Sequence, residues 1–172
     1  MKKGVRTLYS TKIFTCFMNT LDELFSSIDK ELRRGKKLKD LGPVLSSYSG
    51  DDWRKFERYN SAHYSRNLVK INDQIEMLVL CWDISQGCPV HDHPVNGCLV
   101  RIMQNEVTEN VYEFTDKPEL ISSSILPEGG IAFKEGRVIL HEIFNHSGKR
   151  AASIHIYSPP QYSPNYYFAD KV

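Results

Sequence analysis

The run Glu76-Met-Leu-Val-Leu-Cys-Trp-Asp83 decides the fold class of this 172-residue chain. It is a short apolar segment with polar residues at both ends, which is typical of a β-strand. Similar segments, separated by clusters of Asp, Asn, Gly and Pro, follow at Cys98–Gln104, Glu106–Phe114, Ile131–Lys134, Val138–Asn145 and Ala152–Ser158. Many short strands with no helical pattern between them predict a mostly β fold, built as an antiparallel β-barrel or sandwich.

The residues that precede these strands have the periodicity of a helix. Thr20 followed by Glu23 is a capping box, the signature of a helix start. Apolar side chains then recur at helical spacing until Gly35, at Leu21, Leu24, Phe25, Ile28 and Leu32. The pattern predicts an amphipathic helix that ends before this glycine.

Two shorter helices are predicted between this helix and the strands. One covers Gly42–Tyr48 with a proline early in it, and the other begins at Asp51 or Asp52. The sequence contains no repeat, low-complexity tract or interdomain linker. We therefore expect a single domain over residues 1–172, with a mainly helical segment (1–66) followed by the β-barrel (67–172).

Composition and charge exclude several classes of protein. Lys and Arg number 22 and Asp and Glu number 21, so the net charge of +1 provides no electrostatic footprint for nucleic acid or an anionic membrane. The mean hydropathy of -0.41 argues against an integral membrane protein. The apolar stretch Ile13–Met18 is too short and too polar for a secretory signal, so we expect a cytoplasmic protein. Its four cysteines, Cys16, Cys81, Cys88 and Cys98, should then be reduced.

Three of the six histidines are candidate metal ligands. His91 and His93 form an H-x-H pair, and residues i and i+2 of a strand point to the same face. His141 stands at the end of a strand pattern and could supply a third imidazole. The alternative is that the pair consists of surface or hydrogen-bonded histidines in a loop.

A second group of polar residues alternates along the last strand pattern. Ser153, His155 and Tyr157 fall on one strand face, which favours a hydrogen-bond relay. Serine-hydrolase chemistry is disfavoured because neither a G-x-S-x-G turn nor an orienting acid accompanies the Ser–His pair. A strand of core aromatic residues is the other reading of this pattern.

The pattern Gly87-x-x-x-His91-x-His93, followed by His141-x-x-x-Asn145, resembles the two metal motifs of the cupin superfamily. In detail the chain resembles the cysteine dioxygenases, which are mononuclear non-haem iron enzymes that oxidise cysteine to cysteine sulfinic acid. The matching pieces are Tyr64–Val69, Leu80–Trp82, Val90–His93, Cys98, His141-x-x-x-Asn145 and Ser153–Pro160. They occur in the family's order, which makes them more specific together than any one motif.

The resemblance implies Fe(II) held by His91, His93 and His141. Most cupins add a Glu ligand shortly after the H-x-H pair, but the sequence Pro94-Val-Asn-Gly-Cys98 has no carboxylate. Three neutral imidazoles leave the charge of the cation uncompensated, which favours an anionic thiolate as substrate ligand.

The resemblance also implies roles for residues outside the metal site. Arg66 would bind the carboxylate of cysteine in a two-pronged pair, and Tyr64, two residues earlier on extended chain, would project to the same side. Ser153, His155 and Tyr157 would form the relay, with Tyr157 nearest the iron. In this family the tyrosine that matches Tyr157 is joined by a thioether to the cysteine that matches Cys98, so the crosslink is open to this chain.

The function implied is iron-dependent oxidation of L-cysteine by O₂, carried out by a monomer without nucleic-acid or membrane partners. One alternative is a thiol dioxygenase acting on another small thiol such as 3-mercaptopropionate. Another is a non-catalytic metal-binding cupin that acts as a sensor. The chain departs from the animal-type members at Pro164, where they carry a cysteine, and it ends at Val172, so closure of the pocket is expected to differ.

Overall fold

The computed structural model describes residues 17–168; Cys16, most of Ile13–Met18 and the outer ends of the predicted domain lie outside the described residues. The helical part contains α1 (Leu21–Arg33), a 3₁₀ turn (Leu38–Leu41), α2 (Gly42–Ser46) and a second 3₁₀ turn (Asp52–Phe56). The strands are β1 (Ser65–Ile71), β2 (Glu76–Trp82), β3 (Gly87–His91), β4 (Cys98–Gln104), β5 (Val107–Phe114), β6 (Pro118–Leu126), β7 (Ile131–Lys134), β8 (Ile139–Phe144) and β9 (Ala151–Tyr157). The predicted order, helices first and then short strands, is confirmed.

The strands form two antiparallel sheets. The five-stranded sheet has the order β1-β2-β9-β4-β7, and the four-stranded sheet has the order β3-β8-β5-β6. Within residues 17–168 the strands do not close into one continuous barrel, so the predicted barrel takes the form of a jelly-roll sandwich. No helix in this range is long and apolar enough to cross a membrane.

Strand β2 is buried on both faces, which explains its unbroken apolar sequence. Met77 and Val79 pack in the cluster shared with the helices, whereas Leu78 and Leu80 pack in the cluster between the two sheets. A strand with one wet face would alternate apolar and polar residues instead. The helical segment therefore serves as the cover of the five-stranded sheet.

Helix α1 begins as the sequence predicts. Glu23 N–H donates to Thr20 Oγ1 (3.2 Å), and Thr20 N–H donates to Glu23 Oε2 (3.2 Å), so both halves of the capping box are present. The apolar face of α1 is buried, including Leu24 and Ile28. This face packs against the outer side of the five-stranded sheet.

The other two helical predictions need correction. Helix α2 ends at Ser46 instead of Tyr48, and the segment from Asp52 forms a 3₁₀ turn instead of an α-helix. The Asp52 carboxylate does not cap its own turn, because it accepts hydrogen bonds from Leu21 N–H (3.0 Å) and from the Tyr48 hydroxyl (2.5 Å). Asp52, one of the two residues predicted to start a helix, instead ties this turn to the start of α1.

Candidate metal centre

His91 and His141 face each other across a strand pair. Strand β3 pairs antiparallel with β8, and His91 and His141 are direct partners in its register. His93 lies two residues beyond the end of β3, so the two histidines of the H-x-H pair do not share one regular strand as predicted. Its backbone N–H donates to the Gly136 carbonyl (3.0 Å), which places its ring beside the other two. One ligand nitrogen from each of the three lies within 4.8 Å of the others, and all three side chains are buried.

Hydrogen bonds orient two of the three rings. His91 Nδ1 lies 2.8 Å from the Pro89 carbonyl, and His141 Nδ1 lies 2.7 Å from Glu109 Oε1. Each Nδ1 faces an acceptor and therefore carries the proton, which leaves the lone pair on Nε2. The Nε2 atoms of His93 and His141 are 3.1 Å apart.

The three rings are neutral and suited to a cation. Burial lowers the pKa of His91, of His93 and of His141 below the ordinary value of an imidazole, and the neighbouring histidine rings add to the shift for the last two. His93 Nδ1 is buried and has no hydrogen-bond partner among the described residues. Three neutral nitrogen donors that converge in a buried space form a set that first-row transition metals bind well, so the residues fit a metal ion.

A small pocket opens over His91 and His141. Tyr64, Arg66, His91 and Tyr157 line both its outer and its inner part, and the free space in each is about 10 Å³. So little free space restricts any occupant to a small molecule.

Two contacts fix the pocket walls. Arg66 Nη1 donates to the Tyr157 hydroxyl (3.3 Å), although much of the Arg66 side chain remains exposed. The Tyr64 ring stacks on Trp82 with centroids 4.6 Å apart and an angle of 12° between the planes. The structure therefore brings Tyr64 and Arg66 to the pocket that contains the histidines.

Ser153, His155 and Tyr157 occupy the inner face of β9. Trp82 Nε1–H donates to Ser153 Oγ (3.0 Å), and this hydroxyl lies 2.9 Å from His155 Nε2. The other ring nitrogen, His155 Nδ1, lies 3.4 Å from the Tyr157 hydroxyl. If Ser153 donates its proton to Nε2, Nδ1–H can donate to the Tyr157 oxygen, which leaves the phenol proton free to donate into the pocket.

Burial controls the charge of this relay. It lowers the pKa of His155, with the charge of Arg66 as the next cause, and it raises the pKa of the Tyr157 phenol well above its ordinary value. At neutral pH the imidazole is therefore neutral and the phenol keeps its proton.

Cys98 also lies beside the relay. It is the direct partner of Tyr157 in the register of β4 and β9, and its Sγ is 3.7 Å from His155 Nδ1. Burial raises its pKa to about 12, so it is a neutral thiol. Cys88 lies on β3, where its Sγ accepts from Ile143 N–H (3.3 Å). Among the described residues Cys81, Cys88 and Cys98 are free thiols.

Asp92, between the two histidines, holds a segment that the sequence did not predict to reach the site. Its carboxylate accepts from the Tyr162 hydroxyl (2.8 Å), Asn165 N–H (2.8 Å), Asn165 Nδ2 (2.7 Å) and the Tyr167 hydroxyl (3.2 Å). We call residues 161–168 the C-terminal strap, and its members Tyr162, Pro164 and Tyr166 line the outer pocket. Asp92 is thus buried, and its carboxylate is occupied by the strap.

Two further residues contact the site region: Asn145, which belongs to the second sequence motif, and Glu109, which the sequence did not single out. Asn145 is buried, and its amide donates to the carbonyls of Trp82 (3.1 Å), Asp83 (3.1 Å) and Lys149 (2.7 Å), so this motif residue has a structural role. Glu109 accepts from His141. Its only signal in the sequence is that it is a charged residue at an inward position of β5.

The fold and the histidine cluster agree with comparisons to known proteins. Residues 15–169 match a family model described as Cysteine dioxygenase type I. The Cysteine dioxygenase type 1 of Danio rerio is 28% identical over 153 residues, which cover 82% of this chain and 75% of that protein. For the proteins of the same name from Homo sapiens and Rattus norvegicus the identities are 28% and 30% over 131 residues, covering 72% of this chain and 66% of theirs.

Solved structures are similar to this chain in fold alone. A protein with a double-stranded β-helix domain from Klebsiella pneumoniae aligns with a TM-score of 0.55 at 16% identity, covering 68% of this chain and 95% of that one. A cupin superfamily protein from Desulfitobacterium hafniense aligns with a TM-score of 0.50 at 9% identity, covering 64% and 90%. The cupin type of the jelly roll is therefore confirmed.

Proposed function

The chain belongs to the cysteine dioxygenase type I family, and from this premise we propose that it uses Fe(II) and O₂ to oxidise the thiol of L-cysteine to cysteine sulfinic acid. The observation that carries the proposal is a cluster of three neutral imidazoles, two of which, His91 and His141, line a small pocket that also contains a guanidinium. Both atoms of O₂ go to the sulfur in this reaction, so no other reductant or oxidant is required.

His91, His93 and His141 would hold the Fe(II). When bound, the iron supplies the redox chemistry that lets O₂ react with a thiolate. The three histidines bring no negative charge of their own, and Cys88, Cys98 and Tyr157 beside them are protonated. An anionic thiolate is therefore the ligand that this pocket favours.

Arg66 would select the substrate. Its guanidinium lines the pocket and is steadied by the Tyr157 hydroxyl, so it can form a two-pronged pair with a carboxylate at a defined place. Tyr64, held by its stack on Trp82, contributes a second hydroxyl to the same wall.

Tyr157, His155 and Ser153 would control a proton at the pocket floor. The phenol keeps its proton at neutral pH, and the His155 ring lies behind it with Ser153 as the next group. The phenol can thus donate a hydrogen bond to a negatively charged group in the pocket. Cys98 lies within reach of Tyr157 for the thioether that the family allows.

The test is O₂ uptake by protein that has been depleted of metal and reloaded with Fe(II) without oxygen. We expect one O₂ consumed per cysteine, a product heavier by two oxygen atoms, and no uptake by His141→Ala treated in the same way. Faster oxidation of 3-mercaptopropionate than of cysteine would move the protein to another thiol. Metal binding without uptake of O₂ with any small thiol would instead indicate a sensor.

We further propose that residues 1–172 act as one cupin domain and as a monomer in the cytoplasm. The free thiols of the described residues are consistent with a reducing compartment. Light scattering coupled to size-exclusion chromatography tests the monomer, and a mass twice that of the chain would contradict it.

A further inference from the structure

A buried carboxylate stands directly behind one of the three histidines. Glu109 is 4% exposed and lies on β5, with Oε1 at 2.7 Å from His141 Nδ1. Lys134 Nζ donates to both oxygens of the same carboxylate, at 2.9 Å and 3.0 Å. Lys134, Glu109 and His141 form a continuous network of charge-assisted hydrogen bonds that ends at the cluster of three histidines.

The topology of the two sheets brings Lys134, Glu109 and His141 together. Strand β5 pairs with β8 so that Val111 is the direct partner of His141, which places Glu109 two residues along, at the diagonal position on the same face. Lys134 belongs to β7 of the other sheet and reaches across the space between the sheets. Contacts from both sheets therefore determine where the His141 ring sits.

His141 differs in this respect from the other two histidines. His91 Nδ1 donates to a backbone carbonyl, and His93 Nδ1 has no hydrogen-bond partner among residues 17–168. A carboxylate that accepts from the Nδ1–H of an imidazole fixes its tautomer and its plane, and it makes Nε2 a stronger donor to a metal.

We propose that Glu109 is the positioning residue of the metal centre: it holds His141 with Nε2 directed at the cation, and Lys134 holds Glu109 in place. The inference rests on the proposed function in taking His141 as a metal ligand. Because Lys134 balances the charge of Glu109, the pair strengthens one ligand while leaving the charge of the cation uncompensated. The site thus gains a firm ligand without losing its preference for an anionic substrate.

Burying the ion pair of Glu109 and Lys134 costs desolvation free energy, and stability of the fold alone would not explain it. Two charged side chains are withdrawn from water here, since the side chains of Glu109 and Lys134 are 6% and 13% exposed. Replacing a buried ion pair by apolar residues of similar size is often neutral or stabilising, so such a pair is weak as a device for stability. Its contact with His141 is the feature that an apolar pair could not reproduce.

The experiment measures the affinity of the metal-free chain for Co²⁺ by competition with a chromophoric chelator, together with the visible spectrum of the bound Co²⁺. Glu109→Ala should weaken binding 10–100-fold, the range usual for such partners of a metal ligand, and should alter the spectrum. Glu109→Gln keeps an oxygen acceptor for His141 Nδ1–H and should recover part of the loss. Glu113→Gln, an exposed site on the same strand, is the matched control and should bind as the native chain does.

The variant His141→Ala distinguishes a failure of the positioning role of Glu109 from a failure of the metal-site assignment. If His141→Ala loses most of the affinity while both Glu109 variants bind Co²⁺ as the native chain does, the positioning role is wrong and the metal assignment stands. If His141→Ala itself binds as tightly as the native chain, the assignment of the metal site fails first. Thermal unfolding of each metal-free variant identifies any that does not fold, and Glu109→Gln, which preserves volume, then decides the matter.

Discussion

Cys98 and Tyr157 are direct partners across the antiparallel pair of β4 and β9, both buried and both beside His155. Side chains at such positions have Cβ atoms about 4.5–5.5 Å apart, which is close enough for the sulfur to reach the phenol ring. The register of these two strands thus brings together two residues more than fifty positions apart in the sequence, as a pair that a thioether can join.

We predict that this pair crosslinks during turnover. Formation of the C–S bond removes one hydrogen from the thiol and one from the ring, with O₂ as the oxidant, so the intact mass falls by that of two hydrogen atoms. Mass spectrometry after incubation of the iron-loaded protein with cysteine and O₂ measures it. Cys98→Ser should show no loss of mass and should keep measurable turnover, because Cys98 is not among the clustered ligands. An unchanged mass of the native chain after many turnovers would contradict the prediction.

The three histidines should be required for metal binding but not for folding. We expect His91→Ala, His93→Ala or His141→Ala to remove most of the bound metal and to abolish turnover. The folded state should persist, since apolar burial in the two main clusters carries its stability. Elemental analysis and circular dichroism measure the two effects separately. A preparation loaded with Zn²⁺ or Cu²⁺ would agree with the assignment, because divalent affinities rise beyond Fe²⁺ along the series.

Features that depend on local spacing were predictable from the sequence. The i, i+2 alternation places Ser153, His155 and Tyr157 on one face of β9, and the capping box starts α1 where Thr20 indicates. Both depend only on residues within a few positions of each other.

Contacts between distant segments were not predictable in the same way. Glu109 meets His141 across 32 residues and Lys134 across 25, and nothing in the local sequence distinguishes Glu109 from a surface glutamate. Strand β6 carries the Ser-rich sequence PELISSSIL and is largely exposed at the edge of its sheet, so it shows neither an apolar run nor alternation. These features depend on strand register, which a single sequence does not display.

The closed position of the C-terminal strap should depend on its hydrogen bonds to Asp92. We predict that Asp92→Asn loosens residues 161–168, because an amide nitrogen replaces one acceptor oxygen and then faces the Asn165 amide or a tyrosine hydroxyl. Loss of a buried, charged hydrogen bond costs about 1.5–3 kcal/mol, which corresponds to roughly 10–150-fold in the opening equilibrium. Hydrogen exchange of the strap amides measures the change, and the KM for the thiol substrate should rise with it.

A matched control for the strap is Arg137→Gln. Arg137 approaches Asp92 at 3.6 Å from the solvent side, and its side chain is 72% exposed, so its loss should have little effect. Exchange in Asp92→Asn as slow as in the native chain would show that the strap is held by other contacts.

Arg66 should determine which thiols the protein accepts. We predict that Arg66→Ala lowers kcat/KM for cysteine by about 2 kcal/mol or more, roughly thirtyfold, which is the usual cost of removing one partner of a close charge pair. The value should fall near the lower end of the range for such pairs because the Arg66 side chain is partly exposed. Arg66→Lys should recover only part of the loss, since an ammonium cannot reproduce the two-pronged contact.

Cysteamine, which has the thiol and the amine but no carboxylate, is the internal control for Arg66. The native chain should oxidise cysteamine poorly, and Arg66→Ala should affect its oxidation far less than that of cysteine. Equal rates for the two thiols in the native chain would mean that Arg66 does not bind a carboxylate.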